Sequence, residues 1–143
     1  TVDLAGGTLD LAGQVATTLT MIGSGGSVSN GTLAAGTLLS PGGDDAVGTL
    51  VLSDVGVDGA EYRLSFDGAQ ADLITSEGAL DLTGLTVTAL AEPSGRIYTI
   101  LHAAGGLAGE KPQLVGLPSK WRLISTENDV CLAKRVGTCL TVY

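Results

Sequence analysis

Glycine cuts this sequence into pieces too short to be helices, and the pieces that remain alternate apolar and polar residues as extended strands do. Gly-Thr-Leu or Gly-Ala-Leu followed by alternation recurs at Gly7-Thr8-Leu9, Gly31-Thr32-Leu33, Gly48-Thr49-Leu50 and Gly78-Ala79-Leu80. A strand of about four residues buries little alone, so repeats this short gain an interior only by stacking on one another. The pattern centres on residues 39–52, L-S-P-G-G-D-D-A-V-G-T-L-V-L, where two strand-like pieces meet through an acidic turn. Pro41 presets φ for the second residue of a turn and Gly42 can supply a positive φ at the third. A type II turn is therefore expected over Ser40, Pro41, Gly42 and Gly43. Beyond it, Leu50 and Leu52 fall on one face of a strand and Thr49, Val51 and Ser53 on the other.

The same reading runs the length of the chain. Leu9 pairs in phase with Leu11 and Leu19 with Met21, and residues 28–39 give two pieces broken at Gly31 and Gly36. Tyr62, Leu64 and Phe66 alternate with Glu61, Arg63 and Ser65 as a half-buried strand. Leu80 with Leu82, and Leu85 with Val87 and Ala89, share faces on either side of Gly84, and residues 96–101 form a further strand. Three closing strands are expected at 121–124, 130–133 and 138–143. No amphipathic helical stretch competes, so the chain is all-β. Short aliphatic strands with glycine at the corners fit a right-handed parallel β-helix, whose coils would lie about 4.8 Å apart. The alternative is an antiparallel β-sandwich, which would want longer strands and tighter hairpin signals.

Composition narrows the function classes. Hydrophobic residues are 44% and charged residues 15%, which excludes a disordered chain. One Trp, one Phe and three Tyr are too few for a carbohydrate cleft floored by several rings. The net charge is −8, with thirteen acidic and two basic residues in 1–110 against two acidic and five basic in 111–143. An acidic body repels phosphate backbones, so nucleic acid is not an expected partner. Residues 11–43 carry no charge, yet eight glycines and Pro41 interrupt them. No transmembrane helix, and no membrane insertion of this segment, is expected. The chain opens at Thr1 without Met or a signal peptide and reads as mature protein or an excised segment.

Candidate chemistry is sparse. Cys131 and Cys139 would face each other across a hairpin reversing at Arg135, and a disulfide there would stabilise by about 2–3 kcal/mol and fit an oxidising compartment. The plainer reading is two small apolar side chains. His102, the single histidine, would have to serve any Ser-His-Asp or Cys-His mechanism, against its plainer role as a strand-end imidazole. Asp44 with Asp45, and Asp67 with Asp72, could pair for calcium or glycosidic acid/base work. Their glycine-rich surroundings favour turn-forming aspartates. Asn30-Gly31-Thr32 matches a glycosylation acceptor by chance at a glycine turn. Tyr62, Tyr98 and Trp121 could line a sugar surface, though strand positions favour packing. No catalytic residue, cofactor or metal site is expected.

Residues 39–43 followed by Gly48-Thr-Leu, then Ala60-Glu-Tyr-Arg-Leu, Asp72-Leu, Leu80-Asp-Leu-Thr-Gly, Ile97-Tyr-Thr-Ile-Leu and Leu117-Pro near Trp121, resemble the passenger-associated β-strand repeat of Gram-negative autotransporters. The likeness runs from about Gly7 onward. It implies a parallel β-helix exported to the cell surface, with coils over 1–92. Terminal coils and a C-terminal β cap over 93–143 would fold early and help draw the rest outward, all within one continuous domain.

The function expected is a non-enzymatic stalk or adhesin scaffold, secreted or on the outer cell surface, with a host or surface glycan or protein as partner. A carbohydrate-active β-helix enzyme or glycan-binding module is the second reading. Self-association of a surface-matrix component through the coil ends is the third, because unpaired strand edges invite it.

Overall fold

The computed structural model describes residues 1–43 and 46–135. Among them the structure is all-β and contains no helix, so none is long and apolar enough to cross a membrane. One six-stranded sheet consists, in spatial order, of β1 (Val2–Asp3), β4 (Thr20–Ile22), β6 (Leu38–Ser40), β8 (Glu61–Leu64), β13 (Thr86–Ala89) and β16 (Gln113–Val115), every pair parallel. The larger sheet runs from β2 (Thr8–Asp10) through β5 (Ser27–Leu33), β7 (Thr49–Gly56) and β11 (Leu73–Ser76) to β14 (Ile97–Ala103), again all parallel. It ends on β18 (Asp129–Lys134) and β17 (Trp121–Ser125), both antiparallel, while β3 (Val15–Ala16) pairs beside β2 on β5. Two short pairs complete it: antiparallel β9 (Phe66–Asp67) with β10 (Gln70–Ala71), and parallel β12 (Leu80–Asp81) with β15 (Leu107–Ala108).

Parallel neighbours cannot be joined by a tight hairpin, so each return needs a crossover. Here the crossover is the visit to the other sheet: β4, β5, β6, β7 and β8 fall alternately in the smaller and the larger sheet. Successive registers in the smaller sheet are Thr20↔Leu38, Leu38↔Glu61, Glu61↔Thr86 and Thr86↔Gln113. The antiparallel alternative is not what this pairing gives.

The two sheets share one aliphatic interior. Met21, Leu39, Tyr62, Leu64 and Val87 from the smaller sheet meet Val28, Leu50, Leu52, Ile74 and Leu101 from the larger, and all are buried. Leu50 and Leu52 point inward and Thr49, Val51 and Ser53 outward, as their alternation predicts. Each such Leu withdrawn from water contributes about 1.5–3 kcal/mol. The pairs Leu80 with Leu82, and Leu85 with Val87 and Ala89, are likewise buried.

Two expectations about strand boundaries need correction. Residues 28–39 do not break at Gly31, because β5 runs through it and bends at Asn30, whose φ is +57°. Asp54 bends β7 in the same way at +60°, opposite Asn30, since Ser29 pairs with Ser53 and Gly31 with Val55. Asn and Asp tolerate this left-handed conformation better than other residues with a Cβ. Gly31 is small for another reason: a Cβ there would lie 2.5 Å from the Leu11 Cβ and 2.6 Å from the Gln14 carbonyl oxygen. Replacing Asn30 or Asp54 with Val is expected to cost about 1–2 kcal/mol in urea unfolding, whereas Asp54→Asn should change little.

The second correction is at Phe66. The alternation stops at Leu64, Ser65 turns inward, and Phe66 begins β9, its ring centroid 5.1 Å from that of Tyr98. At the far end, β14, β15 and β16 continue the parallel pairing, and its sense reverses only at β18. The third closing strand, 138–143, lies outside the described residues.

Candidate functional site

The Ser40 to Gly43 turn forms, with the Gly43 N–H donating to the Ser40 carbonyl at 3.2 Å. Its type differs from expectation, for the positive φ of +79° belongs to Gly43 and not to Gly42. Gly42 is instead required by close approach. A Cβ on it would strike the Ala46 carbonyl, and one on Gly48 would come within 2.5 Å of the Pro41 carbonyl oxygen. Pro41-Gly42 and Val47-Gly48 thus pass backbone against backbone at the neck of the loop. The Ser40 hydroxyl is buried there, and among the described residues it has no hydrogen-bond partner. Asp44 and Asp45 lie outside the described residues.

Beneath this neck sits Asp72, fully buried just before β11. Its carboxylate accepts the Gly48 N–H and the Ser65 N–H, each at 2.9 Å. Ser65 reaches back with its hydroxyl to the Gly43 carbonyl at 3.1 Å. One carboxylate therefore ties the 41–48 loop to the end of β8. Burial raises its pKa to about 6, outweighing the backbone hydrogen bonds that favour the ionised form. Asp67 is exposed on β9, so the two aspartates do very different things. Its surroundings in sequence, beside a glycine-rich turn and at the start of a strand, suggest a turn-forming aspartate, and only the return of the chain to Gly48 shows what it holds.

The aromatic residues are structural. Tyr62 is buried on β8 and donates its hydroxyl to the Ile100 carbonyl at 2.7 Å, joining the two sheets. Ile100 sits at a β-bulge of β14, between Thr99 and Leu101, where the ladder to β18 shifts register. The Ile100 carbonyl faces β11 in the parallel ladder, and the phenol is a second donor to it. Burial first, and then nearby Asp72, hold the Tyr62 pKa well above its ordinary value, so it remains a donor. Tyr62→Phe is expected to lose about 0.5–1.5 kcal/mol, the net worth of one intramolecular hydrogen bond, because the Ile100 carbonyl keeps the β11 strand as its ladder partner; thermal denaturation checks this. Tyr98 donates to the Gly68 carbonyl at 2.9 Å and accepts the Gly95 N–H at 2.6 Å. Trp121 is buried, with its indole N–H on the Glu92 carboxylate at 3.2 Å. The same carboxylate takes the Lys120 ammonium at 3.0 Å, and Lys120 foremost and Trp121 next draw its pKa down. These three rings do not form a surface for sugars.

On the outer face of the larger sheet, His102 Nδ1 lies 2.7 Å from Asp129 Oδ1, both partly exposed. Register puts Thr75 beside His102 on β11. A hydroxyl, an imidazole and a carboxylate therefore stand in one row on the outer face of the sheet. Cys131 is half-buried between Thr99 and Ile124 on neighbouring strands, its sulfur 3.7 Å from the Thr99 hydroxyl. Its suggested partner Cys139 lies outside the described residues.

Two clefts open on the flank that carries β12 and β15. The larger, about 470 Å³, is lined by Thr32, Gly56, Val57, Asp58, Asp81 and Thr83. The Asp81 carboxylate accepts the Thr83 N–H at 2.9 Å, and bonds to the Thr83 backbone and hydroxyl hold its pKa below the ordinary value. The smaller cleft, about 210 Å³, has Glu110, Lys111 and Gln113 among its walls. Among the described residues, no three His, Cys, Asp or Glu side chains gather where they could hold a metal ion. Asn30 of the glycosylation-like tripeptide is the exposed corner of β5 and reaches Asp10 at 3.4 Å.

No protein-family model matches the chain, and no curated protein matches it in sequence.

Proposed function

We propose that this chain is a right-handed parallel β-helix serving as a non-enzymatic extracellular scaffold, a stalk or adhesin segment like the passengers of Gram-negative autotransporters. The observation that carries the reading is the in-register parallel ladder of both sheets around one shared aliphatic interior. Stacked coils would produce this pairing, and crossovers between parallel strands are right-handed in nearly all cases. The antiparallel β17–β18 pair then acts as the closing cap, covering the last parallel strand of the larger sheet. A scaffold role is further supported by how the chemically capable residues are used. Asp72, Tyr62, Tyr98 and Trp121 are all committed to holding backbone or side chains within the fold. The placement outside a cell rests on the resemblance of the turn and strand motifs alone.

Asp58 and Asp81 in the larger flank cleft favour, as a second reading, a carbohydrate-active enzyme that uses two acids on a β-helix. A screen of acidic and neutral polysaccharides for new reducing ends separates the two. The scaffold reading predicts no release above background, while release abolished by Asp58→Asn or Asp81→Asn overturns it.

A further inference from the structure

The basic residues are as unevenly placed in space as in sequence. Five of the seven Lys and Arg residues, Arg96, Lys120, Arg122, Lys134 and Arg135, lie on or directly beside β14, β18 and β17. Arg122 and Ile97 are the outward cross-strand partners of Ala133 on either side, so they flank one small residue. Arg135 donates its N–H to the Lys120 carbonyl and so continues the outward row of Arg122, whereas Lys134 pairs with Trp121 and holds its ammonium 6.0 Å from that ring on the other face. All five are exposed, and among the described residues only Lys120 has a carboxylate within ion-pair distance. Ile97, among the guanidinium groups, is 63% exposed, more than any other large hydrophobic residue described. Guanidinium groups that have no carboxylate in ion-pair distance among the described residues, beside an exposed aliphatic side chain, make a docking surface for carboxylates.

The counter-charge lies on the same molecule. Asp58 and Asp81 are exposed on the β12 flank, sharing a cleft with the hydroxyl-bearing Thr32 and Thr83. Two carboxylates with threonines beside them suit a guanidinium group, which donates through several N–H groups at once. A long anionic polymer fits less well, because the basic surface is only three strands wide and gives way to Asp129 and then to an acidic body.

We propose that the Arg122–Arg135 surface of one copy docks sideways on the Asp58–Asp81 flank of a second copy. The two patches differ, so the contact is head-to-tail in kind, leaves one of each patch free, and grows beyond a dimer. It needs neither a free coil end nor a scaffold role, and a chain found to be an enzyme could still assemble this way.

Sedimentation equilibrium at about 0.15 M salt, where repulsion between the acidic bodies is screened beyond about 8 Å, tests it. The wild-type chain should show a mass that rises with concentration past that of a dimer. Arg122→Glu with Arg135→Glu should sediment as a monomer, and so should Asp58→Lys with Asp81→Lys. An equimolar mixture of these two charge-reversed proteins should associate again, which misfolding of either could not produce. A wild-type monomer at all concentrations, or a mixture that stays monomeric, overturns the proposal. So does a monomer retained on an anionic polysaccharide resin through Arg122 and Arg135, which would assign the surface to a polyanion.

Discussion

Asp72→Ala is expected to destabilise the protein by about 2–4 kcal/mol at neutral pH, because the Gly48 and Ser65 N–H groups would stay buried without an acceptor. Asp72→Asn should do little better, since one of its two positions would set an NH₂ donor against an N–H. The deficit should also depend on pH in a definite direction. Burial raises the folded-state pKa of Asp72 from 3.8 to about 6, so the folded protein holds this proton more tightly than the unfolded chain. The protonated carboxyl therefore contributes stability that is fully present below about pH 4 and lost as pH rises through about 6. Two pKa units correspond to about 3 kcal/mol. The gap between wild type and Asp72→Ala in urea unfolding should widen by up to that amount from pH 7 to pH 4. A gap that narrows on acidification would mean that the N–H bonds outweigh burial.

Leu52→Ala should be comparably severe, at about 2–5 kcal/mol. Leu52 is wholly buried on β7, the strand between β5 and β11, with Val28 and Ser76 as its register partners. Strands fixed on either side leave little freedom for the vacated volume to collapse. Val15→Ala, on a side chain 60% exposed at β3, should change stability by less than about 0.5 kcal/mol. The contrast within one denaturation series checks that the interior is shared by both sheets. Equal losses at the two positions would contradict it.

The strands were legible where alternation alone decides which face is buried, as with Leu50 and Leu52, Leu80 and Leu82, and Val87 and Ala89. They were misread where a distant backbone decides. Glycine at position 31 looks like a break, yet the bend belongs to Asn30, and Gly31 is small because Leu11 and Gln14 lie against it. Phe66 continues the alternation of Tyr62 and Leu64 on paper, but Ser65 is drawn inward by Asp72, seven residues away in sequence. The type of the Ser40–Gly43 turn was lost for a similar reason, since Gly42 serves closeness to Ala46 and Gly48. Pairings across many residues leave no local mark. His102 with Asp129, and Tyr62 with Ile100, become visible only when register places them. The basic surface lay between these extremes: its charge was plain in residues 111–143, while its assembly with Arg96 and Ile97 required the antiparallel turn of β18.

The central claim, that the strands lie parallel and in register, is tested most directly by paired cysteines on the outer face of the larger sheet. In a background with Cys131→Ser and Cys139→Ser, Val51→Cys with Thr75→Cys places two thiols on directly paired residues, as does Ser27→Cys with Val51→Cys. Such neighbours fall within disulfide reach, whereas Ser53→Cys with Thr75→Cys, displaced by two residues, does not. Mild oxidation should close the first two pairs within a single chain and leave the third reduced. Failure of both in-register pairs, or closure of the displaced pair instead, would contradict the stack.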